Sequence, residues 1–192
     1  VAAAVGAAVY KMTTATAKTG DAFQKMSLRV GISSQVLSEY AHAANITGTN
    51  QDTIQRGLKT FARAVTYARD GLTTYTREFD KLGISMEDLE GKSPQEAFEM
   101  SLGALSKLDD ELTKAAIAQT LFGRGGQALI PLSKLGAEGI AKLRKEAHEL
   151  GITFDKEAAD KAAEFNDSLT RLKGSMAGVR NKLVLAFIDQ FK

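Results

Sequence analysis

His42 and His148 are the only histidines in the 192 residues, and there is no cysteine. Each histidine sits in a helical pattern with no second ligand-type residue at a metal-binding spacing, so a hydrogen-bonded helical histidine is the expectation for both. Carboxylates cluster twice. Asp109, Asp110 and Glu111 are consecutive, so on a helix they splay around the axis and do not converge on one ion. Glu87, Asp88 and Glu90 precede Gly91 without calcium-loop spacing. Solvated acidic turns account for both clusters. Gly123-Arg124-Gly125-Gly126 has the glycine content of an anion-cradling loop, but it follows a helical segment and lacks the Lys-Ser/Thr ending of a P-loop. A helix–helix turn is expected there. Arg56, Lys59 and Arg63 make a basic stripe at helical spacing. Without interleaved aromatics or a helix-turn-helix frame, a solvated face is expected and no specific nucleic-acid site. No serine, threonine or lysine lies near a plausible pairing of base and orienting group. The expectation is no catalytic, cofactor-binding or metal-binding residue, hence no enzyme and no cofactor.

The elements that carry these residues are helical. Hydrophobic residues make up 44% of the chain, with only 7% aromatic and no tryptophan, so the apolar mass is mostly Ala, Leu, Val and Ile. That mixture suits helix seams better than a bulky core or a β-sandwich. The net charge of +2, from 25 basic and 23 acidic residues, is too balanced to call for a nucleic-acid or membrane partner. The absence of cysteine excludes disulfides and thiolate metal sites and fits a reducing compartment. The apolar run Val1–Tyr10, closed by Lys11, is too short to cross a bilayer and has no basic region ahead of it. A start at Val suggests a piece of something longer.

Two stretches have apolar residues alternating at four and three, the spacing of a helix laid along a partner. The first holds Ile54, Leu58, Phe61, Val65, Ala68, Leu72, Tyr75, Phe79 and Leu82. The second holds Ala158, Ala162, Phe165, Leu169, Leu172, Met176, Val179, Leu183 and Ala186. Gly57, Ala64 and Gly71 recur at seven-residue intervals beside the first seam. A closely approaching backbone would offset the cost of each glycine, about 1 kcal/mol against alanine. Gly71, following Asp70, also admits a kink. Lys161, Lys173, Arg180 and Lys182 flank the second seam, which disfavours a parallel dimer of that helix and points to a helix of the same chain or an acidic partner.

Punctuation is just as regular. Val30-Gly31-Ile32-Ser33, Leu82-Gly83-Ile84-Ser85 and Leu150-Gly151-Ile152-Thr153 each read as a glycine stop, an apolar residue packing back and a capping hydroxyl. Gly48 and Gly123 are further stops. A Thr-rich turn ending at Gly20, an Asp21–Gln24 capping box, a Thr49–Asp52 cap and the Ser93-Pro94-Gln95-Glu96 start mark other boundaries. No segment alternates like a strand. The expected fold is all-α, with long heptad-patterned helices over about 50–82 and 155–190 and shorter glycine-capped helices between. The expected organisation is an apolar lead-in helix 1–20, a helical module 21–152 and a long C-terminal helix 153–192, or one continuous helical domain.

From Ala118 the chain reads Ala118-Gln-Thr-Leu-Phe-Gly123, Gly125-Gly126-Gln-Ala-Leu-Ile-Pro131-Leu, Lys134-Leu-Gly136, Lys145-Glu-Ala147, Leu150-Gly151-Ile152 and Ala163-Glu-Phe165-Asn166-Asp167. Lys25-Met26-Ser27, Gly31-Ile32-Ser33, Leu37-Ser38-Glu39, Leu82-Gly83-Ile84-Ser85 and Ser93-Pro94 precede these in order. This ordered succession, over nearly the whole chain, resembles an internal segment of a bacteriophage tail tape measure protein. The resemblance implies a virion protein whose copies lie in the lumen of the tail tube, set tail length while the tube assembles around them, and leave during DNA ejection. It implies as partners other copies of itself, the tail tube protein and tail assembly chaperones, with residence in the host cytoplasm during assembly. It leaves membrane contact to segments outside this stretch. A helix rises about 1.5 Å per residue, which converts chain length into tube length. The glycine stops at 31, 83 and 151 would bend a straight rod, so a compact helical module that opens out inside the tail is expected. No lytic transglycosylase or metallopeptidase motif is present. The competing expectation is a helical binding or scaffold module that associates with membrane during genome delivery.

Overall fold

Glycine decides where most of the helices stop. The computed structural model describes residues 2–189, with side chains for 5–185. Val1, residues 190–192 of the expected C-terminal helix and the Ala186 side chain of the expected seam lie outside the described residues. The helices are α1 (Ala2–Val30), α2 (Ser34–Ile46), α3 (Gln51–Arg69), α4 (Thr73–Lys81), α5 (Met86–Leu89), α6 (Pro94–Ser106), α7 (Glu111–Phe122), α8 (Ile130–Ser133), α9 (Gly136–Glu149) and α10 (Lys156–Asp189). A 3-10 turn, Gly126–Leu129, leads into α8. The fold is all-α, and no strand occurs among the described residues.

Gly48, Gly71, Gly83 and Gly151 all take positive φ, between 65° and 83°. In each, the amide of the following residue reaches back to a carbonyl in the last helical turn, as in Leu72 N to Tyr67 O at 2.9 Å and Ile84 N to Phe79 O at 2.9 Å. After Gly83 a serine restarts the chain. Ser85 and Ser93 form reciprocal capping boxes with Asp88 and Glu96.

Four boundaries differ from the sequence expectation. The helix expected over 50–82 is two helices, because Gly71 adopts the left-handed conformation and closes α3. At Gly57 it is a side chain and not a backbone that comes close: a Cβ there would lie 2.8 Å from Leu129 Cδ1. The expected break at Gly20 is absent, and α1 runs on to Val30. A Cβ on Gly20 would overlap the Ala162 methyl, so this glycine allows α10 to press against an unbroken α1. Asp21 is therefore no cap. It is buried in mid-helix, accepting from Lys25 Nζ and Asn166 Nδ2, each at 2.8 Å. Finally, Asn50 caps α3 in place of Thr49, and Asp155 caps α10 in place of Thr153. Thr49 is buried and donates its hydroxyl to the Ala128 carbonyl.

Phe61 stands at the centre of the core. It stacks on Phe122 of α7 at 5.3 Å and meets Phe98 of α6 at 5.5 Å and Phe79 of α4 at 6.2 Å, both edge to face. One ring of α3 thereby ties three other helices. Ile54, Leu58 and Val65 extend this buried face along α3. α2 and α9 pack together beside it, and α1 closes the far side through Phe23, Met26 and Val30.

α1 and α10 lie side by side and point the same way. Thr16 and Thr19 share a groove with Ala158, Gly20 abuts Ala162, and Asp21 bonds Asn166, so residue numbers rise together along the contact. Residues 5–13 of α1 project beyond one end of this contact and residues 171–185 of α10 beyond the other. Nearly all of both segments is exposed.

Phe61→Ala removes the ring common to these contacts and is expected to cost about 3–5 kcal/mol in urea unfolding, the range for emptying a packed aromatic site. A second expectation concerns acid. Backbone amides and hydroxyls of Ser85 and Ser93 hold the Asp88 and Glu96 carboxyls below their ordinary range, and Thr113 does the same for Asp110. These groups bind protons more weakly folded than unfolded, so their contribution is present above the ordinary carboxylate pKa of about 4 and is lost as pH falls through the lowered values. Melting temperature should drop as pH falls from 5 to 3. The drop should shrink in the Asp88→Asn, Glu96→Gln, Asp110→Asn triple variant.

Candidate functional site

The residues expected to form helix seams divide into an inner and an outer set. Ile54, Leu58, Phe61, Val65, Phe79 and Leu82 are buried in the core, although they now belong to two helices. Leu72 sits at the α3–α4 break and is 44% exposed. On α10, Leu169 is half-buried, while Phe165 is 39%, Leu172 56%, Met176 65%, Val179 59% and Leu183 66% exposed. The second seam therefore packs on α1 only up to about residue 169. Beyond that its apolar stripe is exposed among the described residues, because α1 ends at Val30. Gly31, Gly83, Gly123 and Gly151 all have positive φ, 69°, 69°, 80° and 65°.

One polar cluster had no counterpart in the sequence expectations. Arg144 of α9 donates to Glu39 of α2 at 2.8 Å through Nε and to Glu99 of α6 at 2.7 Å through Nη1. Its guanidinium lies 5.3 Å from the centroid of the Tyr40 ring, and the Tyr40 hydroxyl donates to Glu99 at 2.6 Å. Next to it, His42 Nε2 lies 3.0 Å from Glu146. The partners are 45 to 105 positions apart in the chain, beyond the reach of any local motif. Burial first, and then the Glu99 carboxylate, push the Tyr40 hydroxyl far above the usual phenol range, so it keeps its proton. With Arg144 shared between two carboxylates and Tyr40 locked onto one of them, the cluster behaves as a clamp joining α2, α6 and α9 rather than as an acid–base pair.

A groove of about 690 Å³ runs between the 82–84 turn and α6 and is edged by Asp88, Lys92, Glu96, Glu99 and Lys107. Asp88 and Glu96 are committed to their capping serines, which keeps both ionised and leaves neither a proton to give. Asp110 caps α7, and Glu111 pairs with the buried Lys114 at 2.9 Å, so the 109–111 acidic run divides its side chains between structural tasks. No group of three or more metal-ligating side chains gathers among the described residues. His148 is exposed in the last turn of α9.

A second groove, about 630 Å³, brings together features that are separate in the sequence. The Arg56, Lys59 and Arg63 stripe forms one wall, Arg124 of the glycine-rich loop enters from the side, and Arg29 from the end of α1 completes the rim. Gly123 is packed against Thr60 and Gly125 against Thr53, which fixes the loop on the stripe. The sequence named the stripe and the loop but placed them 60 residues apart, and gave no sign of Arg29.

No protein-family model, curated protein or solved structure matches this chain.

Arg144→Ala leaves the buried Glu39 carboxylate without its partner and is expected to cost about 3 kcal/mol or more in denaturant unfolding. Arg144→Lys should recover only part of this, since an ammonium cannot span two carboxylates as a planar fork does.

Proposed function

We propose that this chain is a structural segment of a bacteriophage tail tape measure protein, acting through helix–helix contact and length rather than through chemistry. One observation carries the reading: two long helices run in the same direction through the module and leave it at opposite ends, each bearing unpartnered apolar residues. A chain so arranged can continue in both directions from a folded body, as a component of an extended assembly must. Leu172, Met176, Val179 and Leu183 keep the four-and-three spacing of a seam whose missing partner would be a different helix of another copy, since the cations flanking α10 disfavour its pairing with itself. On this reading, the partners are further copies of the chain in the tail lumen, then the tube protein around them and the tail assembly chaperones. The ordered motifs from Lys25 to Asp167 support the same family assignment, and the Tyr40–Arg144 clamp, with every charge engaged, supports a scaffold in place of an enzyme.

One feature favours a second reading, a helical module that associates with membrane. Between Asp167 and Asp189 α10 has no acidic residue, and Arg171, Lys173, Arg180 and Lys182 flank its apolar stripe. This is the pattern of a helix lying on an anionic surface. Among the described residues no helix is long and apolar enough to cross a membrane.

Light scattering separates the two. The tape measure reading expects the purified chain to form a discrete oligomer and Met176→Glu with Leu183→Glu to return it to a monomer of unchanged helicity. A chain that is monomeric at all concentrations and floats with vesicles containing anionic lipid would replace the first reading with the second.

A further inference from the structure

The groove between α3 and the glycine-rich loop has the composition of a phosphate-binding surface. Arg29, Arg56, Lys59, Arg63 and Arg124 line it, and no carboxylate does. None of the five takes part in the ion pairs found among the described residues. Five cations sharing one concavity repel one another, and no ion pair among the described residues offsets this. Helix ends account for part of the arrangement: Arg29 lies in the last turn of α1 and Arg124 just past the end of α7, where cations offset the partial negative charge of free carbonyls. They do not account for Arg56, Lys59 and Arg63, which occupy the middle of α3. A further observation points the same way. The amides of Arg124 and Gly125 have no acceptor among the described residues, in the loop that borders the cations.

We propose that this groove binds the phosphate backbone of duplex nucleic acid, without reading its sequence. The proposal does not rest on the tape measure assignment. From Arg56 to Arg63 the helix rises about 10 Å, and one strand of a duplex presents a phosphate about every 3.4 Å of axis. The stripe is therefore long enough to meet more than one phosphate of a strand. Four of the five cations are arginine, whose planar fork suits phosphate oxygens. Single-stranded nucleic acid is disfavoured because its binding uses exposed rings on which bases stack. The aromatic side chain lining this groove, Phe122, is 1% exposed. Nor does the groove offer amide side chains to read adenine edges. Phosphate contact alone positions a duplex and carries no sequence information.

The test is fluorescence anisotropy of a labelled 30-base-pair DNA duplex titrated with the full chain from 50 to 200 mM salt. Wild type is expected to bind with an affinity that falls steeply with salt and is equal for unrelated sequences. The Arg56→Gln, Arg63→Gln, Arg124→Gln variant should bind at least about tenfold more weakly at 50 mM, with its log–log salt slope shallower by roughly 2 to 3. A charge-matched control, Lys173→Gln, Arg180→Gln, Lys182→Gln on α10, should bind like wild type. All three groove residues are exposed, so melting temperature should be unchanged. If the triple variant proves unstable, Arg124→Gln alone, on the loop, should still weaken binding about threefold. No binding at 50 mM salt, or an equal loss in the α10 control, would overturn the proposal. So would displacement of the duplex by polyglutamate as readily as by unlabelled duplex, which would assign the groove to an acidic protein.

Discussion

Burial of the Phe61 ring is the contact on which the rest of the module depends. A helix of this length can present one apolar face, and α3 uses its face to hold α4, α6 and α7 against a single side chain. In a chain with nine phenylalanines and no tryptophan, four of the phenylalanines meet there. Around that cluster the remaining core is Leu, Ile, Val and Ala, which lets backbones come close. Gly126 against the Ala118 carbonyl and Gly20 against the Ala162 methyl are the closest of these approaches described, and each places a glycine where a Cβ would overlap its neighbour.

Apolar contact specifies proximity but not rotation, and the Arg144 clamp supplies the rest. Glu39, Glu99 and Arg144 come from three helices, and a rotation of any one of them would strand a charge. Buried ion pairs add little stability over a well-packed apolar substitute, and their better-attested contribution is to fix register. In this module the clamp orients α9, and so sets where the chain turns at Gly151 and the direction in which α10 leaves.

That direction links architecture to the functional reading. Because α10 runs with α1 instead of folding back along it, the apolar ends of the two helices emerge at opposite sides of the body and cannot cover one another. The module is left with a packed interior and exposed apolar extensions. The basic groove lies elsewhere, over α3, and none of its five cations takes part in an ion pair among the described residues.

The all-α class, the glycine stops and most of the caps are local properties, and the chain written out as letters determined them. A left-handed glycine followed by an apolar residue and a serine has one low-energy use whatever surrounds it. Gly71 shows where this reasoning strains: seven-residue spacing suited close approach, its conformation in the chain made it a stop, and both uses are written with the same residue. Gly20 went the other way, since only the arrival of Ala162 explains a glycine in an unbroken helix. Heptad spacing told which residues of α3 and α10 were apolar in a row. It did not tell that one row would be buried and the other left bare, because burial depends on which helix comes to lie opposite. The Tyr40–Glu99–Arg144 clamp and the five-cation groove join residues tens of positions apart. Charge and hydrogen bonding act through space, so tertiary structure alone decided that these groups meet.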